Sequence, residues 1–181
     1  MGKFLLSVLF LGLVSLPVMA QDYPKAEVFG GYQYLRLGGD AGENLNGWNA
    51  AFTGNFSKPF GLAADFSGAY KTVSVEGVNV NAKVYSYTGG PVFRLNAGGK
   101  VDPFVHALIG GAHLTGSASG GGGSASVGMN GFTMMFGGGA DVKLNNVFAL
   151  RVPQVDWVYY RFSGQSESHN VRLSAGIVFR F

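Results

Sequence analysis

Few side chains in this sequence could carry out catalysis. There are three histidines and no cysteine, which excludes a thiol nucleophile and a zinc site with cysteine ligands. His169 follows Ser166, Glu167 and Ser168, and serine, histidine and an acid are the components of a nucleophilic triad. Neighbours along a strand point to opposite faces, however, so adjacency in the sequence argues against a triad here. We therefore predict no catalytic residue and no metal site.

A larger set of charged side chains lies on the polar positions of segments that alternate between apolar and polar residues. We assign these charges to the interior of the fold: Glu27, Asp65, Lys71, Arg94, Asp141, Lys143, Arg151, Asp156, Arg172 and Arg180. Charges in a low-dielectric interior must be paired or hydrated. The sequence therefore predicts a network of ion pairs that fills the interior, with a polar path for small solutes as the alternative. His106 lies in the middle of such a segment, and we expect it to be a hydrogen-bonded interior residue.

The elements that hold these charges are predicted to be strands. The two-residue period is clearest at the C-terminus, where apolar residues occupy every second position from Val171 to Phe181 while Arg172 and Arg180 lie between them. After Gln21 there is neither a helical stripe nor an apolar run of about 18 residues. The predicted strand at residues 147–162 keeps its alternation of apolar and polar residues only if a β-bulge occurs at Val152-Pro153.

The connections between the predicted strands alternate in length. Long connections are predicted at residues 38–45, 72–81, 116–127 and 163–168, and short ones at residues 57–60, 96–100 and 145–146. This order describes an eight-stranded antiparallel up-and-down barrel with tight turns at one end and loops at the other. Transmembrane β-barrels have this arrangement.

Composition decides which face of the barrel points outwards. Charged residues make up 13% of the chain, against 47% hydrophobic residues and 30 glycines. A soluble surface normally carries about 25–35% charged residues, so these charges are too few to cover one. The polar faces hold mainly small residues, which suit the narrow interior of an eight-stranded barrel. The composition favours a transmembrane barrel over a secreted soluble β-protein, and the net charge of +3 is too small and scattered to indicate a nucleic-acid partner.

The first twenty residues have the pattern of a secretory signal peptide. Lys3 is followed by an apolar region at residues 4–16, and Val18-Met19-Ala20 forms a small-x-Ala cleavage site. We therefore expect residues 1–20 to be removed and residues 21–181 to form the barrel domain.

At this point the chain resembles a known family. The first-strand pattern Gly30-Gly31-Tyr32-Gln33-Tyr34 and a last strand that closes on Phe181 resemble the small OmpA/OmpX-type outer-membrane β-barrels. The resemblance implies the outer membrane of a Gram-negative-type bacterium, with periplasmic termini and extracellular long loops. It also implies membrane lipid and lipopolysaccharide as surroundings, and Phe181 as the signal for the barrel-assembly machinery. No cofactor is implied, and we expect no peptidoglycan-binding domain after Phe181.

The favoured function is a structural or surface-interaction role, with an extracellular ligand at the loops. A narrow channel for small or hydrophobic solutes is the alternative. A lipid-modifying enzyme is less favoured, although some small outer-membrane barrels are such enzymes. The Gly/Ser-rich segment at residues 116–128 is interpreted as a flexible loop, either a contact site for a ligand or a solvated hairpin tip.

Overall fold

The computed structural model describes residues 23–38, 42–75, 78–120 and 123–181. Eight antiparallel strands form one closed barrel in which each strand pairs with its neighbours along the chain and β8 pairs with β1. The strands are β1 (Ala26–Arg36), β2 (Asn44–Asn55), β3 (Phe60–Val75), β4 (Val78–Arg94), β5 (Val101–Gly120), β6 (Gly123–Lys143), β7 (Phe148–Phe162) and β8 (Gln165–Arg180). The predicted fold class is confirmed, whereas the predicted signal peptide lies outside the described residues.

In the described part of the chain, no helix is long and apolar enough to span a membrane.

The alternation in the sequence becomes an alternation between the inside and the outside of the barrel. In β8, Arg172, Ser174, Val178 and Arg180 are buried inside, while the apolar residues between them are exposed. In β3, Asp65 is buried and its neighbour Phe66 is 50% exposed on the outer face. Because successive side chains of a strand point to opposite faces, a polar interior and an apolar exterior follow directly from the sequence pattern.

The two ends of the barrel differ, and here the predicted loops need correction. At one end, which we name the turn end, lie both ends of the described chain and the connections at residues 56–59, 95–100 and 144–147. At the other, the hairpin end, β3 and β4 are separated only by residues 76–77, β5 and β6 by residues 121–122, and β7 and β8 by Ser163 and Gly164. Three of the four segments predicted as loops there, at residues 72–81, 116–127 and 163–168, are mostly strand. The fourth agrees with the prediction at residues 38–45, because residues 37–43 separate β1 from β2. Glycine and serine are poor strand formers, but pairing with neighbouring strands overrides that preference.

The predicted bulge in β7 is confirmed. The pairing of β7 with β8 shifts between Arg151 and Gln154, and both Val152 and Pro153 are exposed. The extra residue restores the alternation, so Arg151, Gln154 and Asp156 are all buried inside the barrel.

Candidate functional site

Charged side chains fill the barrel interior near the turn end. We name this group the basal cluster; it consists of three arginines and three carboxylates, namely Glu27, Arg94, Asp102, Asp141, Arg151 and Arg180. Arg94 contacts all three carboxylates: it donates to Glu27, to Asp102 Oδ2 at 2.9 Å and to Asp141 Oδ2 at 3.2 Å. Arg180 lies 3.3 Å from Glu27, from Arg180 Nε to Glu27 Oε1. The cluster is therefore balanced in charge, as a buried ionic group must be to avoid a large desolvation cost.

Arg151 connects the basal cluster to aromatic rings. Its Nε and Nη2 donate to the two oxygens of Asp141 at 2.7 and 3.0 Å, which is the two-pronged geometry that arginine and carboxylate favour. Its guanidinium carbon also lies 4.7 Å from the ring centre of Phe29 and 4.3 Å from that of Phe104. These contacts hold the guanidinium in one place by charge, hydrogen bonding and ring stacking together.

A second ionic group lies in the middle of the barrel. This central cluster contains Asp65, His106, Asp156 and Arg172. Arg172 donates to Asp65 Oδ1 at 2.7 Å and to Asp156 Oδ2 at 2.8 Å, and His106 Nε2 lies 2.7 Å from Asp156 Oδ1. Arg172 is 1% exposed, so its charge depends on these carboxylates rather than on water.

Gln154 joins the two clusters. Its Oε1 accepts from Arg151 Nη1 at 3.2 Å, and its Nε2 donates to Asp156 Oδ2 at 2.8 Å. Asn49 extends the network by donating to Asp65 Oδ2 at 2.9 Å. The ionic groups therefore form one connected network across strands β1 to β8.

Apolar side chains close the interior toward the hairpin end. This upper apolar cluster consists of Leu35, Leu45, Ala69, Val84, Leu108, Ala112, Met135, Val158 and Tyr160. Leu37, Ala63, Leu114 and Phe162 pack against it. The interior is thus charged near one end and apolar near the other.

Little room remains between these groups. A cavity of about 10 Å³ lies between the clusters, lined among others by Asp65, Arg94, His106 and Gln154. A single water molecule needs at least that volume. The charged, polar and apolar groups described above therefore pack closely around this small cavity.

The structure brings together eight of the ten charged residues that the sequence assigned to the interior. Glu27, Arg94, Asp141, Arg151 and Arg180 meet in the basal cluster, and Asp65, Asp156 and Arg172 in the central one. Two further assignments to the interior fit less well. Lys71 is half-buried at the rim and pairs with Glu43, and Lys143 is half-buried at the turn end.

One member of the network was missed by sequence reasoning. Asp102 is fully buried and accepts from Arg94, but the alternation at the start of β5 is obscured by Pro103. Asp102 and His106 lie an even number of positions apart, so their side chains point to the same face of β5. This spacing is the signal that could have identified Asp102 as an interior residue. His106 is inside the barrel, as expected.

The serine, histidine and acid near the last connection do not form a triad. Ser166 Oγ lies 2.7 Å from the Tyr159 hydroxyl, and His169 is exposed. Among the described residues, no group of three or more histidine, aspartate or glutamate side chains could hold a metal ion.

Aromatic residues ring the outside of the barrel. Toward the hairpin end, Tyr32 donates to Asn46, and Trp48 Nε1 donates to the Tyr70 hydroxyl at 3.0 Å. Toward the turn end, the rings of Phe148 and Phe179 lie 5.0 Å apart. Aromatic side chains in two such belts are typical of the two interfaces of a membrane. Phe181 is exposed beside them, and its backbone bonds to Ala26 and Lys25 close the seam between β8 and β1.

Four strands continue past the rim at the hairpin end. We name this part the projecting sheet; it comprises residues 71–75, 78–82, 113–120 and 123–130. Pairing within it continues to Val75 opposite Val78 and to Gly120 opposite Gly123. In contrast, β6 first pairs with β7 at Gly131 opposite Phe162, and β2 last pairs with β3 at Asn46 opposite Tyr70. The sheet is therefore paired internally but is no longer part of the closed barrel.

The polarity of the strands reverses in the projecting sheet. Its inner face, which continues the barrel interior, carries apolar residues except at Lys71, which pairs with Glu43: Val73, Val80, Ala82, Leu114, Ala118, Ala125, Val127 and Met129. Its outer face carries uncharged polar residues: Thr72, Ser74, Asn81, Thr115, Ser117, Ser119, Ser126 and Asn130. On the outer face, Thr72 bonds to Asn81 at 2.7 Å and His113 to Asn130 at 2.7 Å. A polar outer face is favourable in contact with water and unfavourable in contact with lipid.

Comparisons with known proteins agree with this architecture. The family model described as "Outer membrane protein beta-barrel domain" matches residues 6–181. The crystal structure of Ail, the attachment invasion locus protein of Yersinia pestis, superposes with a TM-score of 0.67 at 20% sequence identity, covering 88% of this chain and 99% of that one. Ail in complex with the heparin analogue sucrose octasulfate gives the same values.

A second protein has the same fold. Neisserial surface protein A superposes with a TM-score of 0.64 at 14% identity, covering 87% of this chain and 97% of that one. A search of curated protein sequences found no match. With the family model covering nearly the whole chain, the closed eight-stranded barrel belongs to the outer-membrane protein β-barrel domain family, and the resemblance to the small OmpA-like barrels is confirmed.

Proposed function

We propose that this chain is a surface-interaction protein of the outer membrane, anchored by a filled barrel. The observation that carries this proposal is the projecting sheet, which extends four strands past the rim. A protein that only conducts solutes needs an open interior, and one that only stabilises the membrane needs no sheet beyond it. The filled interior supports an anchoring role for the barrel, and the sheet offers a surface to a partner.

The proposal requires the hairpin end to face the outside of the cell. Short turns lie on the periplasmic side of known transmembrane barrels, which supports this orientation together with periplasmic termini. The surrounding partners would be outer-membrane lipid and, near Arg36, Lys83 and Arg161, lipopolysaccharide. These three cations are exposed next to the aromatic belt of the hairpin end, at the height where lipid phosphates would lie. Phe181 would be read by the barrel-assembly machinery.

Cysteine labelling tests the orientation, because the chain contains no cysteine of its own. Ser119→Cys on the projecting sheet should react with a membrane-impermeant maleimide on intact cells. Asn146→Cys, an exposed residue at the turn end, is the matched control and should react only after the outer membrane is permeabilised. Labelling of Asn146→Cys alone on intact cells would contradict the proposal.

Conductance separates this function from a narrow channel. The refolded chain, checked by its heat-modifiable shift on a gel, should be silent in a planar bilayer. Arg94→Ala and Asp141→Asn remove members of the basal cluster and should create conductance if the cluster is what blocks the barrel. Discrete openings of the unaltered chain that change in these variants would favour the channel.

Ligand binding within this fold has a precedent in the Ail protein, which has been crystallised with a heparin analogue. A sulfated polysaccharide is therefore one ligand to try. The projecting sheet itself offers uncharged polar residues on its outer face, so we propose its backbone edge as the binding surface.

A further inference from the structure

One edge of the projecting sheet has no partner strand. Residues Gly123–Asn130 of β6 pair with β5 on one side, but β7 ends at Phe162, opposite Gly131. Among the described residues, the Ser163 hydroxyl approaches this edge and lies 3.8 Å from the sulfur of Met129. The open edge is therefore eight residues long, which is longer than a typical strand of five or six residues, and every second residue points its backbone N–H and C=O groups outwards.

This edge lacks the features that usually protect open strands. Proteins protect such edges with lysine, proline, bulges or very short strands. Residues 123–130 contain no charged residue and no proline, and β6 pairs with β5 over this stretch without a shift in register. Val127, in the middle of the edge, is 65% exposed on the inner face. An unprotected edge of this length is a template for an added strand.

The alternation along the edge restricts which strand can be added. Ala125, Val127 and Met129 point to the apolar inner face, and Ser126 and Asn130 to the polar outer face. An added strand continues both faces only if its own apolar residues lie on the same side. A second copy of this edge satisfies that condition when the two copies are related by a two-fold axis perpendicular to the sheet. This rotation makes the two edge strands antiparallel, and it leaves both apolar faces on one side of the joined sheet and both polar faces on the other.

The same rotation turns the second barrel upside down. Two copies related in this way have their barrels at opposite ends of the joined sheet, and hence in two membranes that face each other. Two copies in one membrane need an axis along the membrane normal, which brings the apolar face of one sheet beside the polar face of the other. The polarity of the sheet therefore favours pairing between membranes over pairing within one.

We propose that the Gly123–Asn130 edge pairs with the same edge of a second copy in an opposing membrane, so that the protein joins two membrane surfaces. This inference rests on the proposed function, in which the hairpin end faces outwards. A register centred on Val127 and covering residues 124–130 sets Val127 beside its own copy, Ala125 beside Met129, and Ser126 beside Gly128. Gly123 stays outside this pairing, because its position in the register lies opposite Gly131, which already pairs with Phe162. Each contact is apolar with apolar or small with polar, and no like charges meet.

Charge is the reason for choosing a second copy over a foreign strand. Recognition of a different protein is commonly steered by complementary charge. Self-pairing across a two-fold axis instead sets the residue on the axis, Val127, beside its own copy, so a charge at that position would face a like charge. The uncharged edge therefore allows the same surface to serve both partners of an isologous contact without repulsion at the axis.

Vesicle clustering tests the inference. The full mature chain is reconstituted into two populations of phospholipid vesicles, one with a donor dye and one with an acceptor dye, and energy transfer on mixing reports contact. The unaltered protein should cluster the vesicles. Val127→Asp and Val127→Lys, each checked for folding by the gel shift, should lower the initial clustering rate at least tenfold because like charges then meet at the axis.

Mixing the two variants makes the test specific. Vesicles with Val127→Asp should cluster with vesicles that carry Val127→Lys, because the charges across the axis are then opposite. Val80→Asp is the matched control: it changes an exposed valine of the same face two strands away and should leave clustering unchanged.

Several results would overturn the inference. These are the absence of clustering by the unaltered chain, clustering by Val127→Asp at the normal rate, no recovery on mixing the two variants, or an equal loss in Val80→Asp. Binding of an uncharged, alternating apolar and polar peptide without vesicle clustering would assign the edge to a foreign strand and also overturn it. None of these results bears on conductance or labelling, so the proposed function would stand or fall separately.

Discussion

The barrel wall and the projecting sheet are made of the same strands but have opposite polarity. In the wall, Asp65 and Arg172 point inwards and Phe66 points outwards. In the projecting sheet, Val80 and Val127 lie on the inner face and Ser119 on the outer face. The period of two continues without a break. The inner face is already apolar in the upper part of the wall, and the outer face changes from apolar to polar in the projecting sheet. Such a change in the outer face is expected where the surroundings change from lipid to water.

The comparison also separates two sources of stability. Inside the wall, charges are held by one another, so each arginine depends on particular carboxylates. In the projecting sheet, most described side chains are small or exposed, although Leu114 packs against the upper apolar cluster, and backbone pairing holds the strands together. Substitutions should therefore be costly in the wall and tolerated in the sheet, and the following predictions test this from the largest expected effect to the smallest.

The largest effect is expected for Arg172→Ala. The substitution leaves Asp65 and Asp156 buried without their guanidinium partner, and breaking a buried pair in this way costs about 3–5 kcal/mol. Urea unfolding in lipid vesicles, followed by tryptophan fluorescence, measures the loss. Adding Asp65→Asn and Asp156→Asn to the variant should restore part of the stability; no recovery would show that the lost packing of Arg172, rather than the charge, is responsible.

A charge on the outer face should distinguish wall from sheet directly. Phe66→Arg puts a guanidinium at mid-wall among lipid chains and should cost about 2–4 kcal/mol. Ser119→Arg puts the same group on the outer face of the projecting sheet, where water solvates it, and should change stability by no more than about 0.5 kcal/mol. Equal costs in the same unfolding assay would mean that the sheet also lies in lipid.

Gly137→Ala tests how tightly the central cluster is packed. A methyl group on Gly137 would collide with the Asp156 carboxylate and the Val155 carbonyl, so we expect a cost of about 1–3 kcal/mol. Gly54→Ala is the control, because nothing lies within 4 Å of the added carbon there. A shift of the urea midpoint in Gly54→Ala as large as that in Gly137→Ala would indicate a general effect of replacing strand glycines.

The smallest effect is expected for Val80→Ser on the inner face of the projecting sheet. Val80 is 45% exposed, so the lost burial is small and stability should change by no more than about 0.5 kcal/mol. The urea midpoint and the gel shift check this. A cost above about 1 kcal/mol would show that the inner face is covered in the folded protein.

Much of the fold could be predicted because a transmembrane barrel repeats one local rule. Every strand alternates, so the number of strands, their order and the parity of Asp65 or Arg172 can be read from periodicity alone. The bulge at Val152-Pro153 was predictable for the same reason, since only an extra residue restores the period. Asp102 escaped this reasoning because Pro103 interrupts the local pattern.

The ends of the strands could not be predicted in the same way. Residues 116–127 have the composition of a loop, because glycine and serine have weak strand preference. In the structure they pair with one another, as at Gly116 opposite Val127, and with a strand further away in the sequence, as at Asn79 opposite Ser119. The pairing partners inside the barrel were also beyond the sequence. Parity shows that Arg172 points inwards, but not that it meets Asp65, which is 107 residues away.

The sequence by itself determined the class of this protein: an exterior for lipid, a polar interior and a closed meander, because these follow from a period of two and a low charge content. The tertiary structure decided which charges pair, that the interior is filled, and that the β6 edge is open. These properties depend on the relative heights of neighbouring strands around the barrel. That stagger is set by the packing of all eight strands together, and no single segment encodes it.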